Sequence, residues 1–435
     1  MSDKTKKILI VTYYWLPHSG TGTYRISKFV KYLIKYGWEP VILTTKNTAS
    51  VFKEDDTDPV YNNIKVYRSK ILEPTLMFGK NNHSSQSMAN ASIFLSENLG
   101  FKKKILQWIR LNLFIPDAKI LWKKPAVQLG KKIIKQEKPD IILSTAPPPT
   151  AHLIAERLSR WSHIKWIADF RDPWTNIYYY EKLKINPISK KINQRLEKRV
   201  LKAADKIINV SDNFFPNFNE ENKIVRIENG YDPDEIPKSK SGKRGNTKFT
   251  IRYIGSLKRN QFFQNFIDVL KEISQAEKYQ ENIKLEIIGY IDPQIKDYIN
   301  KNLTNLETKT ETFIPHKEAI QKMAESDLLI LAIGQGKQSK NVISTKIFEY
   351  MMTGKPVLAF GDRNGSANKI LRETNIGKMF NYDEYKEVKD FLITTFNHWE
   401  NNTLHFNPNQ NKIQQYSFEN LTQKLINVLK NCMDN

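Results

Sequence analysis

The sequence has one cysteine, Cys432, in 435 residues. A single thiol closes no disulfide and builds no cysteine-based zinc site, and it fits a reducing compartment. No apolar run approaches the roughly 20 residues that span a bilayer; the longest, such as Leu328 to Ile333, have the length of a strand. The chain passes almost directly into Ile8-Leu9-Ile10-Val11, too short for a signal-peptide core and without a small-residue cleavage site. Its 17 glycines and 19 prolines are too few for a fibrous or low-complexity chain. The seven histidines show no HExxH or other clustered spacing, so no metal is expected. Acids are in short supply too: 46 Asp and Glu face 68 Lys and Arg, a net charge of +22. Such a chain is drawn to polyanions, whether nucleic acid, an anionic bilayer surface or phosphorylated substrates.

What is present is alternation. Residues 7–13 read as a buried strand. Tyr24 to Tyr36 carries Ile26, Phe29, Val30, Leu33 and Ile34 at the spacing of an amphipathic helix, and Val41 to Thr45 is the next strand. Asp140 to Ser144, Lys165 to Ala168 and Lys206 to Val210 continue the pattern. A polar stretch rich in Lys, Pro and Gly at 232–248 breaks it. The alternation restarts at Thr250 to Ile254, Leu285 to Gly289, Leu328 to Ile333 and Val357 to Phe360, and Tyr416 to Leu429 is a final amphipathic segment. This predicts an α/β chain of two Rossmann-like domains facing each other across a cleft. The expected boundaries are 1–232 for the first domain, 233–248 for a linker and 249–415 for the second. Residues 416–435 should form a C-terminal helix that packs back on the first domain. Open parallel sheets bind ligands beyond the carboxyl ends of their strands, so that cleft is the expected site.

Four loops carry candidate chemistry. Gly20-Thr21-Gly22 lies between the first strand and the first helix, where glycines let backbone amides approach an anion. A dinucleotide fingerprint would need a third glycine where Arg25 stands and an acid where Lys46 stands, so NAD and FAD are disfavoured. Asp169-Phe170-Arg171-Asp172-Pro173-Trp174 leaves a strand with two carboxylates, a guanidinium and an indole. Arg171 could pair with either acid or with a phosphate, and Trp174 could stack on a sugar ring; the alternative is an internal salt-bridged turn. Gly255-Ser256-Leu257-Lys258-Arg259 follows the first strand of the second domain with two cations suited to a leaving diphosphate. Ser344 to Phe360 offers a cap at Ser344 or Thr345, Lys346 and Glu349 in the first turn, Gly354 as a stop and Pro356 before a strand. There the helix dipole and Lys346 suit a pyrophosphate, and Glu349 suits the two hydroxyls of a ribose. Asp56-Thr57-Asp58 and Asp232-Pro233-Asp234 match a metal-binding triplet, but neither follows a strand, and both read as ordinary loops. Residues 101–135 hold ten Lys and Arg and one acid, interleaved with Phe101, Trp108, Phe114 and Trp122. That composition suits an anionic membrane interface or nucleic acid, or simply solvated lysine faces.

Taken in order, these pieces resemble the group 1, or family 4, glycosyltransferases with the two-domain GT-B fold. The resemblance runs from Pro17-His18-Ser19-Gly20-Thr21-Gly22 through Ser144-Thr145-Ala146-Pro147-Pro148 and the Asp169 to Trp174 loop. It continues in Glu228-Asn229-Gly230-Tyr231-Asp232, Tyr253-Ile254-Gly255-Ser256-Leu257, Pro315-His316-Lys317-Glu318, Lys346-Ile347-Phe348-Glu349-Tyr350 and Gly354-Lys355-Pro356. The Asp-Phe-Arg-Asp-Pro-Trp loop points to the bacterial cell-surface polysaccharide branch, which builds polymers such as lipopolysaccharide or capsule. Where the family often has a glutamate eight positions before Glu349, this chain has Asn341. The family's arginine and lysine after the glycine fall on Ser256 and near Gln261.

The resemblance implies a retaining transferase of the hexosyltransferase type. It would move a sugar from a nucleotide diphosphate to a glycan or lipid-linked hydroxyl, with no metal or other cofactor. The second domain would hold the donor through Gly255, Lys258, Arg259, His316, Ser344, Thr345, Lys346 and Glu349. The first would hold the acceptor near His18, Gly20, Gly22 and Trp174, with Asp169, Arg171 and Asp172 as catalytic candidates and Asp169 near the reacting centre. The expected location is the cytoplasm, peripheral on the inner face of an anionic membrane. One alternative is a nucleotide-sugar 2-epimerase on the same fold, which would leave segment 101–135 without a task. The other is a basic nucleic-acid binder, against which stands the lack of zinc-finger, RNP-like or KH-like motifs; no specific nucleic-acid partner is expected.

Overall fold

The computed structural model describes residues 5–18, 20–46, 58–71, 101–176, 185–212, 214–236, 246–336, 339–403 and 406–434. These form two compact units, one of residues 1–228 with 418–435 and the other of residues 229–417. The division therefore falls after Glu228 and Ser417. Of the expected linker, Pro233–Glu235 form a short turn in which the Asp232 side chain accepts from the Asp234 amide at 3.2 Å. Residues 237–245 lie outside the described part.

The first unit holds seven parallel strands: β1 (Lys7–Thr12), β2 (Glu39–Thr45), β3 (Lys65–Ser69), β4 (Ile141–Ala146), β5 (Trp166–Phe170), β6 (Lys206–Asn209) and β7 (Ile224–Arg226). Their order across the sheet is β3-β2-β1-β4-β5-β6-β7. The central strands are unbroken apolar runs because helices cover both faces of a parallel sheet. Ile8, Leu9 and Ile10 are fully buried and sit opposite Pro40, Val41 and Ile42 on one side and Ile141, Ile142 and Leu143 on the other. One covering helix, Thr21–Lys35, buries Ile26, Phe29, Val30 and Leu33. Against it packs the C-terminal helix Phe418–Asp434, whose Phe418 ring meets Tyr24 and Phe29 edge-on at 5.6 and 5.5 Å. Leu421, Leu425 and Leu429 extend that seam.

The second unit holds six parallel strands: β8 (Phe249–Ile254), β9 (Ile283–Ile288), β10 (Glu307–Glu311), β11 (Leu328–Ala332), β12 (Val357–Phe360) and β13 (Gly377–Phe380). Their order is β10-β9-β8-β11-β12-β13. Tyr231, where the chain enters this unit, bridges to Ser417, where it leaves, and its amide donates to the Tyr416 carbonyl at 3.1 Å. In each sheet the strand order reverses once, between β1 and β4 and between β8 and β11. Loops diverge there, opening a crevice at the carboxyl ends of the strands. Among the described residues no helix is long and apolar enough to cross a membrane.

Candidate functional site

In the second unit the strand-order reversal gathers the loop after β8, the loop after β11 and the helix Lys346–Thr353. Gly255 directly follows β8 with φ +126°, a conformation open to glycine and strained for other residues. Its missing side chain leaves room for Lys346: a Cβ there would lie 2.5 Å from the Lys346 ammonium. That ammonium sits 4.2 Å from the Tyr253 ring centroid and donates to the Tyr253 hydroxyl at 2.9 Å. The hydroxyl donates in turn to the Ser256 carbonyl at 2.7 Å. A cation is thus held at the carboxyl end of β8, beside a helix N-terminus. Sequence reasoning missed Tyr253 in this role, because nothing local says that a strand tyrosine reaches a helix 93 residues on.

Glu349 lies in the first turn of the same helix, half-buried. Its Oε1 meets His316 Nε2 at 3.0 Å, and His316 opens the helix His316–Ala324. The two predicted donor residues are therefore together. Thr345 occupies the position before the helix but is itself helical in backbone and makes no side-chain cap. The cap expected at Ser344 or Thr345 is replaced by tight backbone bonds, from the Ile347 amide to Ser344 and from the Phe348 amide to Thr345, at 3.2 and 3.1 Å. Gly354 ends the helix in the left-handed conformation at φ +66°. Lys258 is exposed, whereas Arg259 is paired through Nε with Asp292 at 3.0 Å. Asp292 also caps the helix Pro293–Asn302, so part of the charge expected of Arg259 is already answered.

In the first unit Asp169 is the penultimate residue of β5 and is buried. Its Oδ1 accepts from Arg25 Nη2 at 2.9 Å, and its Oδ2 accepts from Thr145 at 2.7 Å and from Arg25 Nε at 3.3 Å. Arg25, only 1% exposed, also donates to the carbonyls of Ile227, at 2.9 Å, and Glu228. Asp169, expected near the reacting centre as a catalytic candidate, is thus engaged on both oxygens. It is the buried counter-ion of Arg25, which replaces the third fingerprint glycine and turns into the core. Arg171 likewise pairs with neither acid of its loop through a hydrogen bond. It donates to the carbonyls of Ala146 and Pro147 at 3.1 and 2.6 Å, and a Cβ on Gly22 would overlap its guanidinium. Asp172 is exposed and Gly20, at φ +129°, is exposed. His18 is half-buried in a turn whose amide donates to Trp15 at 3.2 Å.

Trp174 differs from expectation as well. Only 5% exposed, it packs in the core, and its indole donates to Asn193 at 3.1 Å; the ring is not presented for stacking on a sugar. His152, in the first turn of the helix Thr150–Ser162, is fully buried against Phe170 with ring centroids 4.2 Å apart. Ser144 accepts from the Trp166 indole at 2.8 Å and shares a hydrogen bond with His152 Nδ1, also at 2.8 Å. Burial pushes this imidazole down to about 3, keeping it neutral. Among the described residues no three His, Cys, Asp or Glu side chains gather as metal ligands. Asp56 and Thr57 of the first acidic triplet lie outside the described residues, as do the side chains of Lys102 and Lys103.

Two family models match. Residues 95–235 fit the model described as glycosyltransferase family 4, and residues 248–395 fit glycosyl transferases group 1. No curated protein sequence matches significantly. Among solved structures, a glycosyltransferase from Rickettsia africae aligns over 99% of this chain and 100% of its own, at 14% identity and a TM-score of 0.60. The lipopolysaccharide outer core galactosyltransferase WaaB aligns over 98% and 99% at 11% identity and 0.55. A putative UDP-N-acetylglucosamine 2-epimerase from Listeria monocytogenes aligns over 98% and 96% at 12% identity and 0.55. At these identities the likeness is one of fold, the two-domain GT-B arrangement of parallel sheets.

Proposed function

The chain belongs to the group 1 glycosyltransferases of family 4, and on that premise we propose that it is a retaining enzyme of bacterial surface polysaccharide synthesis. The donor would be a nucleotide diphosphate sugar and the acceptor a glycan or lipid-linked hydroxyl. The observation that carries the donor half is the cation-and-carboxylate pair on one helix N-terminus: Lys346 over Tyr253 and Glu349 against His316. Lys346 and the first-turn amides face the diphosphate, joined by Lys258 and Arg259, while Glu349 accepts from the ribose hydroxyls. This arrangement supplies the positive charge that the neutral Ser256 and Gln261 do not.

In the proposed step the bond between the anomeric carbon and the diphosphate oxygen breaks first, and the nucleoside diphosphate stays on the same face. The acceptor oxygen bonds to that carbon from the same side, and its proton passes to the departing diphosphate oxygen. No protein base and no metal is called for. Asp169, tied to Arg25, serves the scaffold. Arg171, fixed by two carbonyls, keeps the loop after β4 in place for the acceptor. Segment 101–135 brings the enzyme to the anionic inner surface of the cytoplasmic membrane, without a specific nucleic-acid partner.

The test is thermal stability with nucleoside diphosphates. A ligand at a hundredfold excess over its Kd stabilises the fold by about 2.7 kcal/mol, so the cognate one should raise Tm and the others should not. Glu349→Gln loses a charge-assisted hydrogen bond of about 1.5–3 kcal/mol, a rise in KM for the donor of about tenfold or more. Unchanged donor kinetics would place the nucleotide elsewhere. Nucleoside diphosphate released only with a glycan acceptor present marks a transferase; release without one favours the epimerase-like alternative.

A further inference from the structure

A groove of about 1050 Å³ opens on the first unit and shares no residue with the candidate donor and acceptor residues described above. Its wall is built from the helices Lys123–Glu137, Thr150–Ser162 and Pro187–Ala203 together with the residue after β3. Seven of its lining side chains are Lys or Arg, and one, Glu156, is acidic. That acid is already answered twice, by Arg160 at 3.2 Å and Arg199 at 2.9 Å. Lys70, Lys123, Lys124, Lys131 and Arg157 therefore share one opening with a single carboxylate that is already paired. Burial foremost, with repulsion from Arg199 and Arg157 against the attraction of Glu156, lowers the Lys123 ammonium from its ordinary value. Like charges held this close raise the energy of the folded chain unless an anion sits among them.

Apart from the polar Gln128, the rest of the lining is apolar: Ile120, Leu121, Pro125 and Val127. Leu121 is 41% exposed, and Ile105, Trp108, Leu113, Ile188 and Ile192 are also exposed. They lie on neighbouring segments: Ser189 and the Asn186 amide, at the start of Pro187–Ala203, both bond Asn112 at the end of Phe101–Asn112. A purely ionic ligand has no use for this surface, and a nucleic acid would leave it in water.

We propose that this groove binds the phosphate headgroup of an anionic membrane lipid, with Lys124, Lys131 and Arg157 on the phosphate and the apolar residues against the acyl region. The proposal rests on the membrane reading above and makes it specific: a built headgroup site rather than diffuse attraction of a chain carrying +22. Sequence reasoning saw only segment 101–135, because Lys70, Arg157, Arg160 and Arg199 come from three other stretches.

The experiment is flotation with vesicles of phosphatidylcholine alone and with phosphatidylglycerol added. It compares the wild type with a groove variant, Lys124→Gln with Lys131→Gln and Arg157→Gln, and with a control losing equal charge from the second unit, Lys296→Gln with Lys301→Gln and Lys369→Gln. One cation near an anionic surface is worth about fivefold in affinity. The groove variant should therefore bind phosphatidylglycerol vesicles about a hundredfold more weakly while the control changes little. Melting curves confirm that each variant is folded; should the triple variant unfold, Arg157→Gln alone carries the test with its fivefold loss. Equal losses in groove variant and control overturn the groove and leave general membrane attraction standing. No binding by the wild type overturns both. Displacement of vesicles by millimolar glycerol phosphate overturns the lipid as the source of the phosphate. None of these results bears on donor binding, which the nucleoside diphosphate assay reads separately.

Discussion

Asp169→Ala separates a structural carboxylate from a chemical one. In the wild type its side chain and that of Arg25 are 3% and 1% exposed, and the pair is closed by Thr145 and two main-chain carbonyls. Removing the aspartate takes this carboxylate away from a guanidinium in the core, which costs about 3–5 kcal/mol. For a unit of this size each kcal/mol lowers Tm by about 2–4 °C. The first unit should therefore melt about 6–20 °C earlier in a calorimetric scan. The double variant Asp169→Leu with Arg25→Met removes both charges and should recover part of that loss. It should not recover all of it, because the carbonyls of Ile227 and Glu228 still lose their donor. Transfer rates measured well below the lowered Tm should fall modestly, through loosening of the loop that follows β5. A variant that melts within about 2 °C of wild type but has lost nearly all turnover would refute the reasoning. It would put the carboxylate on the substrate.

Two further outcomes follow from the geometry. The buried His152 stays neutral until about pH 3, whereas in the unfolded chain it protonates below its ordinary 6.5. The unfolded state then binds the extra proton, so this group's contribution to stability is whole above pH 6.5 and falls with pH below it. Between pH 7 and 5 the loss should be about 2 kcal/mol in urea unfolding, and His152→Gln should flatten that part of the profile; parallel curves would refute it. Gly255→Ala forces a side chain into a backbone at φ +126° and into the Lys346 ammonium. Titration calorimetry should show nucleoside diphosphate affinity down about tenfold or more, the worth of one charge-assisted contact; unchanged affinity would free Lys346 from its assigned place.

The interior of both sheets was legible in the sequence, and their borders were not. The nine strands expected from apolar runs fall on β1, β2, β4, β5, β6, β8, β9, β11 and β12. The four left out, β3, β7, β10 and β13, are the outermost strands of the two sheets. An edge strand has one open side and carries charge there to avoid pairing with other chains, so Glu307–Glu311, with three charges in five residues, shows no apolar run. The clustering of the donor candidates was legible because Lys346 and Glu349 share one helical turn and Gly255 directly follows a strand. The partnership of Arg25 with Asp169 spans 144 positions, and no local spacing encodes it. Trp174 misled for a related reason: an indole after a proline reads as a surface platform until Asn193 supplies a buried acceptor.

The C-terminal helix gives the chain an order of assembly. The first unit is built from the opening half of the sequence and its last residues, with the whole second unit inserted between. During synthesis the helix Thr21–Lys35 waits with Phe29 and Leu33 uncovered until Phe418–Asp434 has left the ribosome. By then the second unit is complete and able to fold, so the first made is the last finished. The nascent protein thus carries an exposed apolar seam for nearly the length of its translation, a ready target for a chaperone that holds hydrophobic surface.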